Sequence, residues 1–114
     1  MPLTSNPTVT GETRSLGTSF QVSSDFPAQV SYTVDLAVNN QDCQVELFIG
    51  PSDPPTESAG RVKASSLVLL GLISIAVESS GMLFGWVPTG HYVRLATTGA
   101  GTATLVGSVE LVFG

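Results

Sequence analysis

The chain has few of the residues on which most catalytic and nucleic-acid-binding sites depend. Charged residues make up 11% of its 114 positions, against roughly 25% in an average domain. It has one histidine, one cysteine and a net charge of −5. Its basic residues are Arg14, Arg61, Lys63 and Arg94. They are scattered, whereas a nucleic-acid surface needs clustered cations to displace counterions from phosphates. Nucleic acid is therefore not expected as a partner.

The single cysteine excludes an intrachain disulfide and the secreted scaffolds that disulfides hold together. Cys43 lies in a strand pattern and is interpreted as a small buried hydrophobe. Zinc would need several converging Cys or His ligands. Asp42, Asp53 and Glu57 lie in or near loops but lack the spacing of a calcium loop, so they are interpreted as solvated. We expect neither a metal nor a cofactor.

Catalytic groups are equally scarce. Cys43 and His91 are the only candidates for a nucleophile and its base, and no third group is placed to orient the imidazole. Carboxylates on strand patterns are Asp35, Glu46, Glu78 and Glu110. They occupy polar faces and are predicted to be solvated, not paired across a cleft as in a glycosidase. The segment 99–101 lacks the helix and lysine that follow a phosphate-binding loop. An enzyme is not expected.

Long hydrophobic runs are also absent. The most apolar segment, 67–77, is interrupted by Gly71 and Ser74 and is too short for a membrane helix, which needs about 20 residues. The N-terminus has neither the basic nor the apolar region of a signal peptide. We therefore expect a soluble protein made in a reducing cytoplasm, with no membrane partner.

What is present is a regular β pattern. Hydrophobic residues make up 42% of the chain, and their periodic placement argues against disorder. Large apolar residues occupy every second position from Val30 to Val38, which predicts a long strand over residues 28–38 with one buried face. Residues 43–49 repeat the pattern, and the turn-forming cluster at 39–42 predicts that the two strands form a hairpin. Three prolines make the segment 50–60 a predicted surface loop.

The second half of the chain predicts further strands. A third strand begins at 61–66, and 67–78 is interpreted as a strand with a kink near Gly71. Strands at 82–87 and 91–97 are predicted to form a hairpin around Pro88-Thr89-Gly90, because glycine adopts the positive φ of a type II-like turn. The last strand, 102–113, is predicted to place five apolar residues on one face. These are Ala103, Leu105, Val109, Leu111 and Phe113.

Together these patterns indicate an all-β fold. About seven or eight strands, turn signals every 8 to 12 residues and no convincing helix predict an antiparallel β-sandwich or jelly-roll. Residues 18–114 are predicted to form this single domain. Residues 1–17, which are polar and rich in proline and glycine, are predicted to form an extended N-terminal arm. Such an arm is either a frayed terminus or a segment that orders against a neighbouring subunit.

Three side chains near the 82–95 segment are candidate contact residues. Trp86 either packs in the core, or over the end of the barrel beside Pro88, or is exposed for sugar stacking or a subunit contact. Tyr92 and Arg94 are predicted to lie on the strand face opposite Val93 and Leu95. Arg94 is then either an interface anchor or a surface charge.

Three segments of the chain resemble a group of small virion proteins from tailed bacteriophages. The hairpin-like segment Gly85-Trp-Val-Pro-Thr-Gly-His-Tyr-Val-Arg-Leu95 is similar to their Val-Pro-x-Gly-x-Tyr-Val-Arg-Leu motif, which precedes a Thr/Gly turn and a final strand. Thr13-Arg-Ser-Leu-Gly-Thr-Ser-Phe20 and Val30-Ser-Tyr-Thr-Val-Asp35 match the beginning of these proteins. The resemblance extends from about residue 13 to the C-terminus.

The resemblance implies a structural role in the virion. The leading hypothesis is a capsid decoration, or cement, protein: a homotrimer that binds the head shell at junctions between major capsid protein subunits and stabilises it. The candidate interface residues are Arg14, Trp86, Tyr92 and Arg94. The alternative is a receptor- or glycan-binding knob or collar component of a head or tail fibre, with Trp86, Tyr92 and the 50–60 loop at its tip. A cellular carbohydrate-binding module is disfavoured, because several exposed aromatics and a signal peptide are lacking.

Overall fold

A computed structural model of the protein describes residues 8–38, 42–64, 67–69, 73–75, 77–99 and 101–114. The regular secondary structure in these ranges consists of strands alone. They are β1 (Thr8–Val9), β2 (Phe20–Gln21), β3 (Ala28–Val38), β4 (Cys43–Gly50), β5 (Ser58–Ala64), β6 (Leu67–Leu69), β7 (Ile73–Ile75), β8 (Val77–Val87), β9 (Tyr92–Gly99) and β10 (Thr102–Val112). No helix among the described residues is long and apolar enough to cross a membrane.

Eight of the strands form two four-stranded antiparallel sheets packed as a sandwich, which confirms the predicted fold class. The front sheet has the order β1-β10-β3-β8 and the back sheet the order β2-β9-β4-β5. Among these eight strands, only β4 and β5 are consecutive in the chain and adjacent in a sheet; every other connection crosses between the sheets. This strand order is that of a jelly-roll. The strands β6 and β7 form a separate pair between β5 and β8.

Both long hairpins predicted from the sequence are wrong. β3 belongs to the front sheet and β4 to the back sheet, and β8 and β9 are divided in the same way. The reason is that an alternating pattern specifies which face of a strand is buried, but not which strand lies beside it. Two amphipathic strands can bury their apolar faces equally well by facing each other across the core.

The corner between β8 and β9 therefore carries the chain from one sheet to the other. Gly90 has a φ of 78°, which confirms the predicted positive φ. The His91 amide donates to the Pro88 carbonyl at 3.0 Å, so Pro88 occupies the first position of the turn. The side chain of Gln21 donates to the Gly90 carbonyl at 2.8 Å and ties the corner to β2.

Two further boundaries differ from the prediction. Leu67 pairs with Ile75 and Leu69 with Ile73, so the chain reverses between β6 and β7 and does not continue as one kinked strand. Gly71, where the kink was predicted, lies outside the described residues. The loop after β4 ends earlier than predicted, because β5 begins at Ser58. The last proline precedes Ser58, so backbone donors are available from that point.

The core lies between the inward faces of β3, β4 and β9. Its buried residues include Ala28, Val30, Tyr32, Val34 and Leu36 of β3, Cys43, Val45, Leu47 and Ile49 of β4, and Val93 and Leu95 of β9. The predicted buried faces of β3 and β4 are thus confirmed, including the burial of Cys43; the side chain of Val38 lies outside the described part.

A bulge in β10 changes which face of this strand is buried. Leu105 pairs with Val34, but Gly107 pairs with Thr33, so Val106 is the extra residue. The alternation inverts at such a bulge. Glu110 is therefore buried and Val109 is 49% exposed. The predicted apolar face of the last strand is wrong beyond Leu105.

Candidate interaction surfaces

The inverted register of β10 produces a buried ion pair. Glu110 is 1% exposed, and its carboxylate accepts hydrogen bonds from Arg14 Nη2 at 2.8 Å and Arg14 Nε at 2.9 Å. The Tyr32 hydroxyl donates to it at 2.6 Å and the Thr10 hydroxyl at 2.9 Å. The prediction that Glu110 is a solvated surface carboxylate is wrong.

The contacts of Glu110 explain its protonation state. Burial alone would raise the pKa of Glu110, but the hydrogen bonds from Arg14, Tyr32 and Thr10 outweigh burial and lower it. Burial, and then the hydrogen bond to Glu110, raise the pKa of Tyr32, which stays a neutral donor. Burial would lower the pKa of Arg14, but Glu110 raises it overall. Both carboxylate oxygens of Glu110 already accept hydrogen bonds, so the arrangement is better suited to holding these segments together than to proton transfer.

The ion pair fastens the described part of the arm to its own domain. Thr8 and Val9 pair with the end of β10, and the Gly17 amide donates to the Leu95 carbonyl of β9 at 2.6 Å. Between these points the Arg14 guanidinium lies 4.1 Å from the centroid of the Phe20 ring. Residues 8–17 therefore run from the front sheet, at β10, to the back sheet, at β9. Arg14, a candidate interface residue, makes its contacts within the chain.

At the other edge of the front sheet, β8 exposes large apolar side chains on the outer face. Met82 is 57% exposed, Phe84 66% and Trp86 55%. These three residues, which we call the β8 row, lie on the outer face of the sheet. The inward positions of β8 are Gly81, Leu83, Gly85 and Val87. This strand therefore reverses the usual arrangement, in which the largest apolar side chains face the core.

Close packing explains the two inward glycines. A Cβ atom on Gly81 would stand 2.5 Å from Val62 Cγ1, and one on Gly85 would stand 2.8 Å from Ile49 Cδ1. Side chains of the back sheet thus occupy the space that larger residues of β8 would need. The core is filled from the other sheet, and the bulk of β8 is directed to the surface.

Trp86 is not in the core, which resolves one alternative left by the sequence. It pairs with Gln29 of β3 on the outer face, and its ring lies 5.6 Å from that of Phe113. Phe84, Trp86, His91, Glu57 and Ser58 help to line an open hollow between β8 and β5. The only tryptophan and the only histidine of the chain are therefore close together, with a carboxylate and a hydroxyl nearby.

Tyr92 and Arg94 lie on the other side of the molecule. Both are half-buried on the outer face of the back sheet, and the Arg94 guanidinium lies 5.2 Å from the centroid of the Phe48 ring. The four residues predicted as an interface thus do not form one surface. Met82 and Phe84 were missed, although the shared face of Gly81 and Gly85 is a signal that the opposite face of β8 carries the bulk.

The described residues contain no group of three or more His, Cys, Asp or Glu side chains that could hold a metal ion. Burial raises the pKa of the Cys43 thiol, which disfavours the reactive thiolate. The chain matches no protein-family model, and neither the curated proteins nor the solved structures gave a match. The functional argument therefore depends on the surfaces described above.

Proposed function

We propose that the protein is a non-enzymatic structural protein of a tailed-bacteriophage virion, most specifically a capsid decoration protein. It would bind the outer surface of the head shell at junctions between major capsid protein subunits. The observation that carries this proposal is the exposed β8 row on a jelly-roll domain. Exposed clusters of large apolar side chains mark interaction sites on soluble proteins. The motif resemblance supplies the virion context.

The outer face of the front sheet has the chemistry of a protein-binding surface. Phe84 of β8 and Val109 of β10 both pair with Ser31 of β3, so two large apolar side chains flank a small polar one. Aromatic and methionine side chains are enriched in interfaces, and charged ones are depleted from their centres. Burial of this face would contribute about 25 cal/mol per Å² of apolar surface. Each bound copy would add that free energy to the shell.

The same proposal includes self-association and location. The resemblance implies a homotrimer, made in the host cytoplasm and incorporated into the virion, with the major capsid protein as partner. Residues 8–17 are tied to their own domain by Arg14 and Glu110. This leaves the outer face of the front sheet, rather than that stretch of the arm, as the surface proposed to contact the shell.

A binding assay with expanded shells of the phage that encodes the protein tests the proposal. The purified protein should cosediment with shells, and Trp86→Ser should abolish or strongly weaken binding. Tyr92→Ser, on the outer face of the back sheet, is the matched control and should bind as the wild type does. Failure of the wild-type protein to bind expanded shells would refute a decoration role, as would virions that lack it but resist heat equally well.

A receptor- or glycan-binding fibre component is the second candidate, and the hollow beside β8 favours it. Trp86 there stands near His91, Glu57 and Ser58, and sugar sites combine an aromatic face with a few polar groups. The number of copies per virion separates the two functions. A decoration protein would be present in hundreds of copies, whereas a fibre component would be present in a few to a few tens.

A further inference from the structure

The four strands that end the two sheets differ in how they are protected against pairing with another chain. β1 and β2 are two residues long, too short to bind another strand along their edge. β5 carries the exposed Arg61 and Lys63. Its pairing with β4 also shifts register at Ala59, between Gly60 and Ser58. Short length, basic side chains and bulges are the usual protections of an edge strand.

β8 has none of these protections over its second half. It pairs with β3 along all 11 residues without a register shift. No strand of the described ranges pairs with its other edge. Residues 81–87 (Gly-Met-Leu-Phe-Gly-Trp-Val) contain no charge and no proline. The hollow lined by Phe84, Gly85 and Trp86 borders this part of the strand.

We propose that β8 pairs edge to edge with β8 of a second copy of this chain. A strand placed antiparallel to itself obeys two-fold symmetry, the commonest symmetry of protein oligomers. The uncharged segments 81–87 of the two copies overlap along their whole length only when the central residue, Phe84, lies at the two-fold axis. Met82 of each copy then faces Trp86 of the other, and sulfur–aromatic contacts of this kind are favourable. The two front sheets become one continuous eight-stranded sheet.

The lack of charge in residues 81–87 allows a second copy to occupy this edge. The chain has a net charge of −5, so two copies repel at most orientations. The run 81–87 lets them approach without placing like charges opposite each other. The resulting contact closes at two copies, so for the free protein we propose a dimer in place of the trimer that the phage resemblance implies. It also holds for the free protein whether or not that protein decorates a capsid.

Sedimentation equilibrium of the wild type and two variants tests the pairing. The wild type should show the mass of two chains. Phe84→Lys should weaken self-association by at least about 30-fold, the effect of a central interface residue, because two like charges would meet at the axis. Val109→Lys is the matched control. It lies in the same cross-strand line through Ser31 but two strands from the edge, and it should remain dimeric.

Hydrogen exchange distinguishes edge pairing from contact between side chains alone. Alternate amides within 81–87 should exchange more slowly as wild-type concentration rises, but not in Phe84→Lys. Phe84→Ser, which adds no charge, provides a second test if the lysine variant fails to fold. A wild type that is monomeric or trimeric would overturn the pairing, as would equal dissociation by Val109→Lys or exchange independent of concentration. A dimer that does not bind shells would refute the decoration role alone.

Discussion

Inward positions of a sandwich are usually occupied by large apolar residues, and two strands of the front sheet, β10 and β8, depart from this rule in different ways. On the β10 side a carboxylate, Glu110, occupies an inward position where an apolar residue is expected. On the β8 side glycines occupy inward positions, and Phe84 and Trp86 face outward. Glu110 finds its partners within the chain, at Arg14, Tyr32 and Thr10. The β8 row has no such cover in the described ranges, apart from the contact between Trp86 and Phe113.

This difference separates stability from association. A buried charge is tolerated only when its partners are present, so the β10 side should be sensitive to substitutions as far as the fold is concerned. Exposed apolar side chains contribute little to folding and lose unfavourable hydration only when a partner covers them. Substitutions on the two sides should therefore affect different measurements.

Glu110→Ala is expected to have the largest effect on folding. It removes the carboxylate and leaves the Arg14 guanidinium and the Tyr32 hydroxyl without their buried acceptor. Breaking a buried ion pair costs about 3–5 kcal/mol, which urea unfolding followed by circular dichroism would measure. Asp35→Ala is the control, because Asp35 is exposed and accepts a hydrogen bond from the exposed Ser80 hydroxyl. Equal losses from both variants would contradict the role assigned to Glu110.

Acid should remove the contribution of this ion pair. The pKa of Glu110 in the folded state is lowered from the ordinary value of 4.5, so the folded state favours the ionised carboxylate. The stabilisation is complete above that value and is lost as pH falls through the lower pKa of the folded state. Glu110→Gln, which mimics the protonated form, should therefore be less stable than the wild type near neutral pH. The difference in free energy of unfolding between the two proteins should become smaller below about pH 4.5. A difference that does not depend on pH would exclude the ionised pair as its source.

Gly81→Ala is expected to have an intermediate effect on the β8 side. Its Cβ would collide with the branched side chain of Val62, whose own Cβ lies only 3.1 Å away. Overpacking of this kind costs about 1–3 kcal/mol. Gly85→Ala should cost less, because its neighbour is the terminal Cδ1 of Ile49, which can rotate. Urea unfolding of both variants checks the order, and Val62→Ala should restore part of the loss in Gly81→Ala.

The sequence predicted the faces of strands far better than their neighbours. Alternation alone identified the buried faces of β3 and β4, because burial has a period of two on any strand. It could not show that the two strands lie in different sheets, since crossing and hairpin connections leave the same pattern. The positive φ of Gly90 was predictable because the turn requires it. That the turn links two sheets depends on tertiary packing.

The candidate surfaces were less accessible to sequence reasoning. Arg14 and Glu110 are 96 residues apart, and the bulge at Val106 that turns Glu110 inward has no mark in the sequence beyond the neighbouring Gly107. The orientation of β8 is different, because its glycines alternate with its largest residues. That pattern was present in the sequence. No face was predicted for Met82 or Phe84, and that of Trp86 was left open.

The smallest expected effect on folding is that of Phe84→Ser. Phe84 is 66% exposed, so the free energy of unfolding of the monomer should change by no more than about 0.5 kcal/mol. Leu83→Ser, one residue earlier but 4% exposed and directed inward, should instead cost about 2–5 kcal/mol. Unfolding should be measured over a range of protein concentrations. The proposed dimerisation would add stability to the wild type by mass action, and Phe84→Ser should remove the resulting dependence on protein concentration. A large loss at the lowest concentration would place Phe84 among the residues that hold the fold together and contradict its assignment to a contact surface.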